Sequence, residues 1–269
     1  MYDNTRVQAA LRLADAGFTI PTEYLALHQR FTDFVNTPRD QSAAEIARRI
    51  TAGEPVPDEL RAAGVIEHIN NPMANAALDN TVAATIAAQL EQILKPTIGQ
   101  LWSQACESFD AAAGKLATAM SLIDPDLPAE QAVQLDAKKR SAWGDIPLMT
   151  NAIDNTIPAL HDALLLQGGT AHGDAGLLGL CAQVGTVPRR LVWQAWNSSH
   201  GRAGRWGSLI GAGITVKVNR ESAGIIEYTP PQPLEQKIIS TGGYGKARTE
   251  YHDRETGEIV DPHTLQTIG

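Results

Sequence analysis

LLLQGGTAHGDAGLLGLCAQVG, residues 164–185, marks the point where the texture of this chain changes. Five glycines fall within residues 168–179, His172 stands two places before Asp174, and Cys181 follows. A Walker-type phosphate loop needs two glycines five apart followed by Lys and Ser or Thr, because the ammonium reaches the phosphates and the hydroxyl holds magnesium. Gly168 and Gly173 have the spacing, but Asp174 and Ala175 follow, and a carboxylate there repels phosphate. A dinucleotide fingerprint fails too, since the glycines follow a helical pattern where a strand is required. His172 and Asp174 have no second His or Cys at ligand spacing, so neither a metal nor a cofactor is assigned. The stretch reads as a linker, with Asp174 capping a helix that starts near Ala175.

Upstream of it, residues 1–167 read as helices at almost every step. Val7, Ala10, Leu11 and Ala14 share a helical face that Gly17 closes. Pro21 opens the next helix, Ser42 and Glu45 have capping-box spacing for a third, and Gly53, Pro55 and Pro57 break the chain again. Leu101, Ala105, Phe109, Ala112, Leu116, Met120 and Ile123 form a long stripe, and Leu78, Val82, Ile86, Leu90 and Leu94 form a related one before Pro96. That proline predicts a kink or a split, and the two stripes predict long helices turned back by IDPDLP, residues 123–128. Lys138, Lys139 and Arg140 are read as cations at a helix C-terminus. Met149, Ile153, Ile157, Leu160 and Leu164 give a last stripe, kinked at Pro158.

Downstream, residues 168–269 predict a smaller mixed α/β region. ITVKV (214–218) alternates and GIIEYT (224–229) follows after a polar turn, which predicts a β-hairpin. A second hairpin with a glycine bulge is predicted around Gly257 in TEYHDRETGEIVDP. YTPPQPLEQ between them reads as an extended, proline-rich connector, and the chain ends in an extended tail. The expected fold class is therefore mainly α: a long-helix bundle or helical hairpin over 1–167, joined to an α+β region with short β-hairpins over 168–269.

A chain of 269 residues that is 43% hydrophobic can bury a substantial core. Two distant cysteines, Cys106 and Cys181, argue against a disulfide framework. The N-terminus mixes charge into its apolar run, so no signal peptide is expected, and no window has the apolar length of a membrane span. A cytoplasmic or particle-associated location is expected.

The net charge of -8 conceals an outlier: residues 188–220 carry six cations and no carboxylate, against twelve cations and twenty-two carboxylates in residues 1–187. Leu180, Cys181, Val184, Gly185 and Leu191 resemble the core spacing of a helix-turn-helix, with Pro188 in the first turn of the second helix and Arg189 and Arg190 near its start. Thr186 and Gln194 depart from that pattern. NSSHGRAGRWG (197–207) continues the basic stripe, and Arg, Trp and Gly together grip either a protein partner or nucleic acid. Arg189, Arg190, Trp193, Trp196, Arg202, Arg205 and Trp206 are the candidate interaction residues. Ser198, Ser199 and His200 are consecutive, which gives poor geometry for a nucleophile and its base, so no catalytic residue is assigned.

The leading expectation is a non-enzymatic structural or assembly protein that contacts a protein partner or its own copies. Alanine-rich acidic helices with proline breaks fit the style of bacterial or bacteriophage assembly proteins. The alternatives are a nucleic-acid-binding protein using residues 180–205, and an enzyme with a pocket where His172, Asp174 and His200 meet.

Overall fold

The computed structural model of the chain describes residues 5–36, 41–68, 72–198, 201–221, 224–239 and 248–262, with backbone alone for 41–44, 64–68 and 72–80. The fold is mainly α with short strands. Two compact units divide it, Met1–Leu101 and Trp102–Gly269, the boundary lying inside one helix. The second unit takes in elements from both sides of the glycine-rich stretch, so the change of texture at Gly168 falls inside it.

The first unit holds α1 (Thr5–Asp15), α2 (Thr22–Asn36), α3 (Gln41–Ala52), α4 (Asp58–His68) and α5 (Pro72–Leu94). Val7, Ala10 and Leu13 of α1, Tyr24 of α2, and Ala83, Ala87, Leu90 and Leu94 of α5 are its buried face. Arg6 pairs with Glu91 at 3.1 Å and ties α1 to α5. Glu45 of α3 accepts from Arg48 and Arg49. Those two guanidinium groups hold its carboxyl down at about 2. The side chain of Ser42 lies outside the described residues.

The kink or split expected at Pro96 is reduced to a change of helix type: α5 passes through a 3-10 turn at Lys95–Thr97 into α6 (Ile98–Leu122), with Leu94 and Ile98 on either side both helical. The reversal at residues 123–128 leads through the short α7 (Ala129–Ala132) to α8 (Ala137–Leu166). One expectation is corrected here. Lys138, Lys139 and Arg140 open α8 instead of ending a helix, because Asp136 is its N-cap and accepts the Lys139 N–H at 2.9 Å. Pro147 and Pro158 both sit inside α8, which continues through them.

After α8 come β1 (Thr170–Ala171), α9 (Gly173–Cys181), β2 (Ala182–Gln183), α10 (Arg189–Asn197), α11 (Gly204–Gly211), β3 (Thr215–Val216), β4 (Ile225–Ile226), β5 (Glu235–Ile239) and β6 (Arg248–His252). The hairpin expected over 214–229 does not form. β3 pairs antiparallel with β2, and β4 pairs parallel with β1. Alternation identifies a strand but says nothing of its partner, and both partners here lie beside the glycines. The hairpin around Gly257 is present: Asp253 and Glu258 bond across the turn, and Gly257 adopts φ 75°. The tail expected to be extended contains this turn and β5–β6, while residues 263–269 lie outside the described ones.

Gly176 and Gly179 serve packing. A Cβ on Gly176 of α9 would lie 2.5 Å from the backbone carbon of Ala171 in β1. One on Gly179 would meet the Tyr228 nitrogen at 3.1 Å, just past β4. Without side chains at these positions α9 lies directly on the β1–β4 backbone. Asp174 is in the first turn of α9 and His172 holds the N-cap position, so the expected Asp174 cap is also corrected.

Candidate interaction surface

The seven residues singled out in the basic segment occupy α10, α11 and the loop between them, and most of their chemistry turns inward. Trp206 is completely buried, its indole N–H donating to Asp154 Oδ1 of α8 at 2.8 Å. Its ring meets Phe109 of α6 edge-on at 5.6 Å and Trp196 of α10 at 5.4 Å. Trp196 is only 3% exposed. These two indoles are core, because a large apolar ring at helical spacing finds its lowest free energy where three helices converge. Trp193 is half-buried, donates to the carbonyl of Thr229 at 3.2 Å and packs beside Tyr228.

The arginines are met by the protein's own groups. Arg190 binds Asp253 at 3.0 Å with both side chains almost fully buried, and donates to the Gln232 carbonyl at 2.8 Å. Burial alone would raise the Asp253 carboxyl, but the Glu255 N–H and the Arg190 guanidinium outweigh it and hold the group below the usual carboxylate range. Arg189 pairs with Glu255 at 3.3 Å. Two cations at a helix N-terminus oppose the helix dipole, and the turn at 253–255 places carboxylates there to offset them. Arg205 pairs with Asp174 at 3.3 Å and lies over the Trp196 ring. Arg202 stacks 3.6 Å above Trp143, donates to the Trp143 carbonyl, and donates its backbone N–H to Asp126 Oδ1 at 3.2 Å. Its Nε is buried without a partner. Beyond these seven, Arg220 pairs with Asp110 of α6 at 3.0 Å, whose other oxygen accepts the Val218 N–H at 2.9 Å. Lys217 is exposed and has no carboxylate partner among the described residues.

The helix-turn-helix likeness meets a different connection. A turn of about three or four residues joins the two helices of that motif. Here residues 182–188 separate α9 from α10, and Ala182 and Gln183 are drawn into β2 by pairing with Val216 and Thr215. Pro188 is the N-cap of α10, one place before the first turn.

Asp174 faces Arg205, and among the described residues no group of three His, Cys, Asp or Glu could hold a metal ion. Ser199 and His200 lie outside the described residues, while the Ser198 hydroxyl donates to the Gln194 carbonyl at 2.7 Å. Cys106 and Cys181 are free and buried, and burial pushes the Cys106 thiol up to about 12. Neither thiol is activated. No helix of the described residues is long and apolar enough to cross a membrane.

The surface that sequence reasoning missed is β5. Its five residues pair with β6 in the register Glu235↔His252 to Ile239↔Arg248. Ile238 is 71% exposed, and Ile225 of β4 is 83% exposed. EQKII is too short and too mixed in polarity to stand out beside the prolines that precede it, although Ile238 and Ile239 are β-branched. No protein-family model, curated protein or solved structure matches this chain.

Proposed function

We propose that this chain is a non-enzymatic structural or assembly protein that contacts other protein chains, as an oligomer or as a component of a larger particle of the bacteriophage type. The observation that carries the reading is a contrast in what remains unsatisfied. The arginines of residues 188–220 face carboxylates, carbonyls or an indole, while Ile225, Ile238 and Leu148, the last at 67%, stand exposed. Apolar side chains in water favour association with protein, whereas cations paired with carboxylates have less charge left to give to phosphates. A location in the cytoplasm or in the particle goes with this reading.

Light scattering at low salt, with and without DNA or RNA, tests it. The expected result is a mass that is a multiple of 28.8 kDa and does not respond to nucleic acid. A single-chain mass that rises only when nucleic acid is added contradicts it and favours the nucleic-acid reading.

A further inference from the structure

We infer that the outer edge of β5 pairs antiparallel with the same edge of a second copy, about a twofold axis through Gln236, joining two hairpins into one four-stranded sheet. This rests on the assembly reading above and adds the partner, the edge and the register.

The hairpin has two edges, and among the described residues one of them is unpaired. On β6, Val260 N–H donates to the Tyr251 carbonyl at 2.8 Å, Asp253 N–H to the Glu258 carbonyl at 2.9 Å, and His252 bridges Ile259. Successive residues of a strand point their backbone groups to opposite sides. Tyr251 and Asp253 therefore turn away from β5, and Arg248, Glu250 and His252 turn toward it. Their partners Ile239, Lys237 and Glu235 complete those bonds. This leaves the N–H and C=O groups of Leu234, Gln236 and Ile238 aimed outward, and among the described residues they make no backbone bond. Pro233 belongs to the inward series, so its missing N–H costs the outer edge nothing.

The side chains select a second copy of this chain as the occupant. In antiparallel self-pairing centred on Gln236, Glu235 stands opposite Lys237 of the other copy, and the reverse holds on the other side of the axis. Within one chain these two already lie 3.6 Å apart, so the edge presents a cation and its counter-charge two residues apart. Reversal of the strand superposes each on its opposite. A lone lysine on an edge ordinarily discourages pairing, but here it meets a carboxylate. On the other face Leu234 stands opposite Ile238 of the second copy, covering the exposed isoleucine twice. A two-stranded hairpin is marginal alone, and a four-stranded sheet is not.

The test combines two variants of the full chain. The paired Gln236 positions would have Cα atoms about 5.5 Å apart, within the range a disulfide spans. Oxidised Gln236→Cys protein is expected to run as a covalent dimer on a non-reducing gel, whereas Thr249→Cys, on β6, stays single. Both native thiols are buried and do not interfere. Gln236→Pro removes an outward N–H that the hairpin itself does not use, and is expected to halve the mass seen by light scattering while circular dichroism stays unchanged. If the wild type associates but Gln236→Cys does not cross-link and Gln236→Pro keeps its mass, the edge pairing is wrong and the assembly reading stands. If the wild type keeps a single-chain mass at every concentration and Gln236→Cys stays single, the edge pairing and self-assembly fall together.

Discussion

Residues 188–220 and the β5–β6 hairpin make opposite use of their side chains. The first segment holds six cations and two tryptophans that are almost wholly buried, and nearly all of it is committed to the fold. Arg190 and Trp193 fasten the connector at 229–232 and the turn at 253 onto α10, Trp206 anchors α11 on α6 and α8, and Arg220 fastens the segment after β3 to α6. Strand β5, by contrast, carries ordinary residues: Ile238 and Ile239 are exposed, and no backbone bond reaches its outer side among the described residues. Conspicuous chemistry in a sequence marks strong interactions, and a chain can satisfy those internally. What is left over decides what can be bound.

Stability measurements sharpen this contrast, beginning with its largest expected effect. Trp206→Ala should cost about 4 kcal/mol, since it opens a cavity among three helices, and denaturant unfolding reads this directly. Were Trp206 a surface anchor, the loss would be small. Arg190→Ala should cost about 3 kcal/mol by leaving the Asp253 carboxylate buried without its cation. The folded-state pKa of Asp253 is depressed, so its contribution is complete above the unfolded value of about 3.9 and is lost as pH falls through the lower folded value. Asp253→Asn should flatten that acid limb in a melting-temperature series.

Gly176→Ala should cost about 2 kcal/mol, because the new methyl meets the Ala171 backbone and α9 must lift from β1. Arg189→Ala and Arg205→Ala remove half-exposed pairs, and each should cost less than about 1 kcal/mol in the same unfolding experiment. The smallest effect belongs to the hairpin. Ile238→Lys should leave the stability of the dilute chain within about 0.5 kcal/mol while weakening association.

The helices were legible because their signals are local. Gly17, Pro21 and Gly53 punctuate them where expected, and the stripe from Leu101 to Leu116 is buried on one face. The basic triplet at 138–140 was misplaced because Asp136, the cap that decides which end of a helix it occupies, was passed over. Pairing across the chain was not legible. Arg190 meets Asp253 and Arg220 meets Asp110 over separations of 63 and 110 residues, and no periodicity reports such distances. For the same reason ITVKV and GIIEYT announced strands without their partners. The glycines at 176 and 179 read in sequence as a loop boundary, since helix-on-strand contact is visible only once both elements are in place.

Amide hydrogen exchange followed by mass spectrometry, at low and high protein concentration, compares the two regions in one measurement. The account predicts that peptides covering residues 234–239 become slower to exchange as concentration rises, while those covering 188–220 keep one rate throughout. Concentration-dependent protection confined to 188–220, with 234–239 unchanged, would contradict it.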